Sequence, residues 1–272
     1  MTNAVLIIIR ILYSLYNIIA VEEVDVLITL YADYHTHTVY SHGKGTIMDN
    51  VMAARRKGLT EIAITDHGIR HFTYGVRKKN IIKMRQEIDN INDHCDGIKV
   101  LLGMECNIIS SEGDIDMDDD IRKHLDILLV GYHMMVLPKS LMDAWNIYGL
   151  NYLNKFFSYN TQKVEEKNTI AIAKAIEKHN IDIITHPGAR IPIDTTYIAQ
   201  IAAKAGTALE INSHSSAMTA EHVKAAAKYG VKFVIDSDAH RPEDVGRLDN
   251  GLKIALDAGL DSSQILNAVK DF

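Results

Sequence analysis

The stretch from Tyr31 to Gly43 reads YADYHTHTVYSHG and holds three histidines within eight residues, two of them separated by a single threonine. Side chains alternate along a strand, so an HxH pair at a strand end places both imidazoles on the same side. Two imidazoles on one side can coordinate the same metal ion. The stretch therefore predicts a strand that ends in a metal-binding segment.

Short apolar runs and amphipathic stretches alternate through the rest of the chain, with the periodicity shifting between two and 3.6. The predicted strands are Tyr31–Tyr34, Glu61–Thr65, Lys99–Glu105, Ile127–Gly131, Ile181–Thr185, Thr207–Ile211 and Lys232–Ile235. The predicted helices are Ile47–Lys57, Lys79–His94, Leu153–His179, Thr195–Lys204, Ala220–Tyr229, Pro242–Ala258 and Ser262–Asp271. This order favours an α/β fold with a parallel sheet or barrel, and residues 30–272 show no linker that would divide them.

Every predicted strand delivers a His, Asp or Glu at its carboxyl end. The segments are HTH with His42, then TDHG, MECN, GYH, THPG, EINS and DSDAH. In a barrel these ends open on one face, where the active sites of such folds lie. Burying so many imidazoles and carboxylates without partners would cost several kcal/mol each, and metal ions remove that cost.

Seven histidines and two carboxylates are the candidate metal ligands. They are His35, His37, His42, His67, Glu105, His133, His186, Asp238 and His240. Because a catalytic zinc takes three or four protein ligands, this number implies two to three divalent ions, with zinc expected and manganese or iron as alternatives. The positive charge of three such ions exceeds the negative charge of two carboxylates, so the pocket should attract a compact anion such as phosphate.

The composition narrows the class of protein further. The formal net charge is −6 with a pI near 6.1, and no basic patch indicates an extended nucleic-acid surface. Cys95 and Cys106 make no disulfide framework, which fits a cytoplasmic location. The acidic run Glu112–Asp120 is predicted to be a solvated turn rather than a calcium loop, since its spacing lacks the central glycine and the terminal glutamate of such a loop.

Residues 1–29 form an apolar extension before the predicted domain, and Ala4–Val21 approaches the length of a spanning helix. Arg10 in its middle is costly in a membrane, by about 2.5–3.5 kcal/mol on insertion scales. Three interpretations stay open: a translated upstream segment with the true start near Leu30, a membrane or interfacial anchor, and a helix packed on the domain. A membrane partner is expected only under the second.

The segments DYHTHTVYSHG, ITDHG, GMECNI, GYH, THPG and DSDAH, in this order, resemble the polymerase-and-histidinol-phosphatase (PHP) family, in its YcdX-like branch of stand-alone phosphatases. The resemblance covers residues 31 to about 258 and implies a distorted (β/α)₇ TIM-like barrel with a metal site at the carboxyl face. Family members of this branch begin almost directly with the first strand. The spacing from His37 to His42 is tighter than this branch leads us to expect.

The resemblance also implies how the ligands divide among three ions. His35, His37, Glu105 and Asp238 would hold the first ion; His42, His67 and His240 the second; His133 and His186 the third, with Glu105 bridging. Asp66 is expected to orient an imidazole rather than to bind an ion itself. Arg70, His71 and Arg190 follow ligands in loops and are candidate substrate contacts.

The expected reaction is hydrolysis of a phosphoric ester of a small metabolite by metal-bound hydroxide. The alternatives are a phosphodiesterase or exonuclease acting on short nucleic acid or a nucleotide, a histidinol-phosphatase, and a metal-binding module without catalysis. Self-association into a homo-oligomer stays open.

Overall fold

The computed structural model describes residues 28–158, 160–215 and 217–270. Its seven strands are β1 Ala32–Asp33, β2 Glu61–Ile64, β3 Lys99–Asn107, β4 Ile127–Gly131, β5 Ile183–Ile184, β6 Ala208–Asn212 and β7 Phe233–Asp236. Each strand pairs in parallel with the next one along the chain. Helices connect the strands, so the predicted distorted (β/α)₇ barrel is confirmed.

The barrel closes between β1 and β7 by two different means. Near the carboxyl ends of the strands, Thr36 and Ala239 form a parallel bridge. Near the other end, the side-chain amide of Asn267 donates to the carbonyls of Ala32 and Ile235, at 2.8 and 2.6 Å. A side chain thus replaces strand-to-strand hydrogen bonds at the base, because β1 has only two residues.

The helical elements lie between successive strands. They are α1 Ile47–Arg56, α2 Lys78–His94, α3 Asp119–Arg122, α4 Leu141–Ala144, a π-helical turn Trp145–Gly149, α5 Leu150–Phe157, α6 Thr161–Lys178, α7 Thr195–Ala205, α8 Ala220–Ala227 and α9 Asp249–Asp257. Short 3₁₀ turns cover Pro242–Asp244 and Ser262–Gln264.

Apolar side chains form two separate cores, as expected of a barrel whose strands are buried on both faces. A large core lies between the strands and the surrounding helices. A small one fills the barrel and consists of Ala32, Tyr34, Ala63, Ile127, Leu129, Ile183, Ala208 and Val234. The small core stops below the carboxyl ends of the strands, and polar side chains take its place above it.

The helix predicted over Leu153–His179 is wrong in its extent. The chain turns between α5 and α6, where Ser158 and Asn160 both have left-handed backbone angles. The side chain of Asn160 accepts from the amide of Lys163 and so begins a new helix. The helical segment before this turn begins at Leu141, twelve residues before the predicted start.

Two predicted C-terminal helices also differ from the structure. The stretch Pro242–Ala258 is interrupted because Gly246, at a φ of 71°, donates its amide to the buried carboxylate of Asp33. Of the stretch Ser262–Asp271, the part described, to Lys270, is helical only in its first turn, and Leu266 then donates to the carbonyl of Phe233. Closing the barrel base requires this segment to run extended.

The prediction that the acidic run Glu112–Asp120 is only a solvated turn is wrong. Asp116 is buried and accepts from the amides of Asn107 and Arg70. Asp118 caps the first turn of α3 by accepting from Ile121. These carboxylates hold the loops together because each accepts hydrogen bonds from backbone amides that would otherwise lack partners.

Nearly all of the apolar N-terminal extension, with the stretch Ala4–Val21, lies outside the described residues. Within the described part of the chain, no helix has the length and apolar character needed to span a membrane.

Gly103 allows β3 to pack inside the barrel, because a Cβ there would lie 2.6 Å from Thr65 Cγ2 and 2.7 Å from Ile127 Cγ2. We expect Gly103→Ala to destabilise the fold by about 1–3 kcal/mol through overpacking. Chemical denaturation followed by circular dichroism measures this change. An unchanged free energy of unfolding would contradict the packing described for the barrel interior.

Candidate metal centre and active site

The strands bring all nine candidate ligands to the carboxyl end of the barrel. The seven imidazoles form one connected cluster in which neighbouring ring centroids lie 4.1 to 6.3 Å apart. Six of these nine side chains belong to buried residues, and His42, Asp238 and His240 are partly exposed. Residues separated by up to 205 positions in the chain therefore meet in one place.

The carboxylate of Glu105 lies at the centre of the cluster. Its Oε1 is 3.3, 3.1 and 3.0 Å from Nε2 of His35, His133 and His186. Its Oε2 is 2.9 Å from Nδ1 of His67 and 3.6 Å from Nε2 of His37. One carboxylate thus faces five imidazoles, an arrangement suited to bridging two ions.

Asp238 and the two histidines of the HxH pair form a second group of close contacts. Its Oδ1 lies 3.5 Å from His35 Nε2 and 3.4 Å from His37 Nε2. The same two nitrogens are 3.1 Å apart. The two histidines lie beyond the two-residue strand β1, so the bridge between Thr36 and Ala239, rather than a long strand, fixes their orientation.

A third group contains His42, His67 and His240 together with His37. His42 stacks on His67 with ring centroids 4.8 Å apart, and it meets His240 edge-on at 4.1 Å. On its other side His42 stacks on Tyr74 at 4.3 Å. The shorter loop between His37 and His42 therefore still brings His42 to the cluster.

The donor atoms fit divalent ions by two criteria. Nitrogen and oxygen atoms that share one tetrahedral zinc at about 2.0–2.1 Å lie roughly 3.3 Å apart, close to the separations above. In addition, His37 Nδ1, His42 Nδ1, His67 Nδ1 and Glu105 Oε2 are buried and lack a hydrogen-bond partner among the described residues. Three compact sets emerge: His35, His37 and Asp238; His37, His67 and His240; and His67, Glu105 and His133.

The electrostatics favour the metal-binding form of several of these residues. Burial lowers the pKa of His133 to about 4, and burial next to His240 and His67 lowers that of His42 to about 3. Burial alone would raise the pKa of the Glu105 carboxyl, but the imidazoles of His133, His35 and His67 hold it well below its usual range. His133, His42 and the Glu105 carboxylate are therefore in their metal-binding forms at neutral pH. For His35 and His186, burial is outweighed by the carboxylates of Glu105 and Glu210, which raise the pKa, so a metal ion bound there would displace a proton.

Polar residues around the cluster fix the orientation of the imidazoles. His35 donates from Nδ1 to Glu210 Oε1 at 2.7 Å, which leaves Nε2 facing the cluster. His133 donates from Nδ1 to Asn107 Oδ1 at 2.8 Å, and Asn107 in turn donates to Asp116. His240 donates from Nδ1 to the carbonyl of Asp238. Such partners orient metal-binding histidines and raise their basicity.

Backbone strain accompanies the same site. His186 and Asp238 have φ angles of 28° and 53°, in the left-handed region that side chains rarely adopt. Strain of this kind costs roughly 1–3 kcal/mol per residue and persists where the surrounding structure enforces it. Here the amide of His186 donates to Glu210, and Ala239 pairs with Thr36 directly after Asp238.

Asp66 does not orient an imidazole as expected. Its carboxylate accepts from the amide and hydroxyl of Thr38, at 2.7 and 2.5 Å, and from the hydroxyl of Ser41. It therefore fixes the loop that carries His42. Thr36 and Thr65 link the same two segments, since Thr36 donates its amide to the Thr65 hydroxyl at 3.0 Å.

Two of the three candidate substrate contacts line the cavity above the cluster, and the third does not. His71 and Arg190 are among the lining residues of this cavity, which measures about 840 Å³. The guanidinium of Arg70 instead donates to the carbonyls of Leu137 and Pro138. Arg70 thus links its own loop to the segment that contains Leu137 and Pro138.

Three residues that support the site were not among the residues predicted from the sequence: Glu210, Asn107 and Thr185. Thr185 donates to Glu105 Oε1 at 2.9 Å, and Glu210 contacts both His35 and the amide of His186. Their signal in the sequence is the position at a strand end, which they share with the candidate ligands.

The chain belongs to the PHP domain family, whose model matches residues 33–244. A probable phosphatase of Thermoanaerobacter sp. (strain X514) is 33% identical over 253 residues, which cover 88% of this chain and 90% of the relative. A probable phosphatase of Shewanella sediminis is 32% identical and covers 86% and 88%, respectively.

A solved structure supports the fold independently. Histidinol phosphate phosphatase from Lactococcus lactis, complexed with zinc, L-histidinol and phosphate, superposes with a TM-score of 0.59 at 14% identity. The match covers 88% of this chain and 99% of that protein. The family resemblance predicted from the sequence is confirmed, and the chain is a metal-dependent phosphoric ester hydrolase.

Glu210 provides a test of how the site is held together. Replacing its carboxylate in Glu210→Gln weakens the hydrogen bond that orients His35, so we expect metal affinity or activity to fall by about 10–100-fold. Metal titration of the purified variant measures the loss. The exposed Glu221→Gln is the matched control and should bind metal as the native protein does; equal affinity in both variants would refute the orienting role.

Proposed function

We propose that the protein hydrolyses a small phosphate monoester at this nine-ligand centre, with two to three divalent ions, zinc first among them. The observation that carries the proposal is the position of Glu105, whose two carboxylate oxygens face five imidazole nitrogens within 3.6 Å. So many imidazoles around one buried carboxylate are more than its charge can balance as protonated rings, and cations bound between them would satisfy the remaining lone pairs.

The proposed division of ligands is the one that the family resemblance implies, and each of its three sets shares two or three residues with one of the compact sets. His35, His37, Glu105 and Asp238 would hold one ion; His42, His67 and His240 a second; His133 and His186, with Glu105 shared, a third. The close approach of His67 Nδ1 to Glu105 Oε2, at 2.9 Å, supports shared ligands between neighbouring positions.

Divalent ions bound there supply a Lewis acid for phosphoryl oxygens and lower the pKa of a coordinated water toward neutrality. The chain itself positions the reacting groups. Glu210 and Asn107 hold the imidazoles, and Thr185 holds Glu105. Preorganised charge of this kind is often the largest contribution to catalysis, since it needs no rearrangement during the reaction.

His71 is the proposed contact from the protein to the bound phosphate ester. Its Nδ1 accepts the amide of Tyr74 at 3.1 Å, so the neutral ring carries its proton on Nε2. Burial lowers the pKa of His71 to about 4, which keeps this neutral form at pH 7. The ring lines the cavity and stacks on His67 with centroids 5.3 Å apart. It is therefore placed to offer a hydrogen-bond donor.

Metal analysis and two chromogenic esters test the proposal. Purified protein is expected to hold two to three divalent ions per chain by elemental analysis and to hydrolyse p-nitrophenyl phosphate. Preferential hydrolysis of bis(p-nitrophenyl) phosphate would favour the phosphodiesterase alternative. Bound metal without hydrolysis of either ester would support a metal-binding module instead.

His37→Ala removes a ligand that lies between two of the compact groups. We expect loss of at least one ion and a fall in kcat of about a hundredfold or more, since metal ligands and their supports act together. Activity and metal content of the same sample measure both effects, and circular dichroism checks the fold. His94→Ala, on the exposed side of α2, is the matched control; full activity in His37→Ala would refute the assigned centre.

Removing the ions is also expected to lower stability. Ligands that bind only the folded state stabilise it by mass action, and without cations the buried imidazoles face one another. A chelator should therefore lower the thermal unfolding midpoint, and added zinc should restore it. A midpoint that does not respond to chelator would show that these residues hold no ion.

A further inference from the structure

The cavity above the metal cluster is much larger than a phosphate group requires. Its volume of about 840 Å³ lies within the range of sites that enclose whole small molecules. Glu105 and Asp238 are its only carboxylates among the described lining residues, and both belong to the cluster. We call the lining residues outside the metal cluster the outer wall; among those described, they include no acidic side chain. The alcohol part of the substrate would lie against this outer wall.

Two cations from different elements line this outer wall. Lys155 lies on α5, one turn after Asn151, which lines the same cavity. Arg190 lies in the loop after β5, four residues after His186, where Gly188 turns the chain at a φ of 85°. The fold thus brings two positive side chains from separate elements to the lining of one cavity.

Neither cation has a hydrogen-bonded or ion-paired partner among the residues that the structure describes. Other cations on the same molecule are paired: Lys139 contacts Asp114 at 2.8 Å, and Lys174 contacts Glu112 at 2.7 Å. The Nζ of Lys155 lies 5.9 Å from the ring centroid of Phe156, the next residue in the chain. Their charges are available to a ligand.

The two amide side chains of the same wall are already engaged. Asn151 donates to the carbonyl of Ile147 and exchanges hydrogen bonds with Asn168. Asn154 accepts from the hydroxyl of Thr161 at 2.7 Å. The amides therefore serve the fold, and the two cations are the groups of this wall best able to select a substrate.

We propose that Lys155 and Arg190 bind a second anionic group, phosphate or carboxylate, on the alcohol part of the substrate. This inference rests on the proposed phosphatase function and narrows its substrate class to esters with two anionic groups. The scissile phosphate would lie at the metal cluster and the second anion at the outer wall. Arginine suits this role because its planar guanidinium matches oxyanions with paired hydrogen bonds.

A length series of substrates tests the proposal. The metal-loaded protein is assayed with α,ω-alkanediol bisphosphates, from ethanediol to octanediol, and with alkyl monophosphates of the same chain lengths. We expect at least one bisphosphate to exceed its monophosphate in kcat/KM by about tenfold, beyond the statistical advantage of a second ester end. The advantage should shrink with added salt, because exposed charges are screened.

The double variant Lys155→Gln/Arg190→Gln should reduce the ratio between the two substrate series by about tenfold. Lys163→Gln, an exposed lysine of α6 outside the cavity, is the matched control and should keep the native ratio. Carboxyl-terminated alkyl phosphates in the same assay distinguish phosphate from carboxylate as the second anion.

The outcomes separate this inference from the proposed function. Hydrolysis of monophosphates with no gain for any bisphosphate, or a gain that survives in the double variant, would overturn the inference and leave the phosphatase function intact. If no ester is hydrolysed, the proposed function fails, and calorimetric binding of the same compounds still decides whether the two cations recognise a second anion.

Discussion

The structure depends on one unfavourable juxtaposition, in which the buried carboxylate of Glu105 faces a ring of imidazoles that are themselves close together. Two of the nitrogen pairs, His35 with His37 and His133 with His186, are only 3.1 and 3.3 Å apart. Lone pairs directed at one another repel unless a proton or a cation lies between them. Burial lowers the pKa of His133 and His37, whereas for their partners His186 and His35 burial is outweighed by the neighbouring carboxylates of Glu105 and Glu210, which raise the pKa. One proton can therefore lie within each pair, and a bound cation would take its place.

The barrel makes this juxtaposition possible by changing its contents along its axis. Below the candidate ligands, the apolar side chains of the small core fill the barrel, and Gly103 leaves room for Thr65 and Ile127. Above, the same inward positions carry Glu105 and Glu210, so the polar residues lie on a packed apolar floor. Gly131 belongs to this upper layer as well, because a Cβ there would lie 2.5 Å from the hydroxyl of Thr185 that supports Glu105.

The sequence alone was sufficient for the strand order, the barrel and the set of residues that converge, because each strand end carries the same chemistry and parallel strands share one open face. It was insufficient where the outcome depends on contacts between distant loops. Asp66 looked like a partner for an imidazole, yet its three acceptor contacts go to Thr38 and Ser41. Asp116 lay in a run that looked solvated, yet it anchors Asn107 beneath His133. The hydrophobic periodicity likewise predicted one helix through Ser158. The structure has two helices there, because Ser158 and Asn160 adopt left-handed backbone angles that the periodic pattern does not reveal.

Asn267 closes the base of the barrel by joining the first strand to the last one, through its contacts with Ala32 and Ile235. These partners are 235 and 32 positions away in the chain, so the seam joins segments from near the two ends of the described residues. Non-local contacts form slowly, since the entropy of a long loop must be lost before they are gained. During synthesis the opening histidines therefore emerge from the ribosome long before their barrel can exist, and the nascent chain exposes an incomplete set of metal-binding groups until its final residues are released.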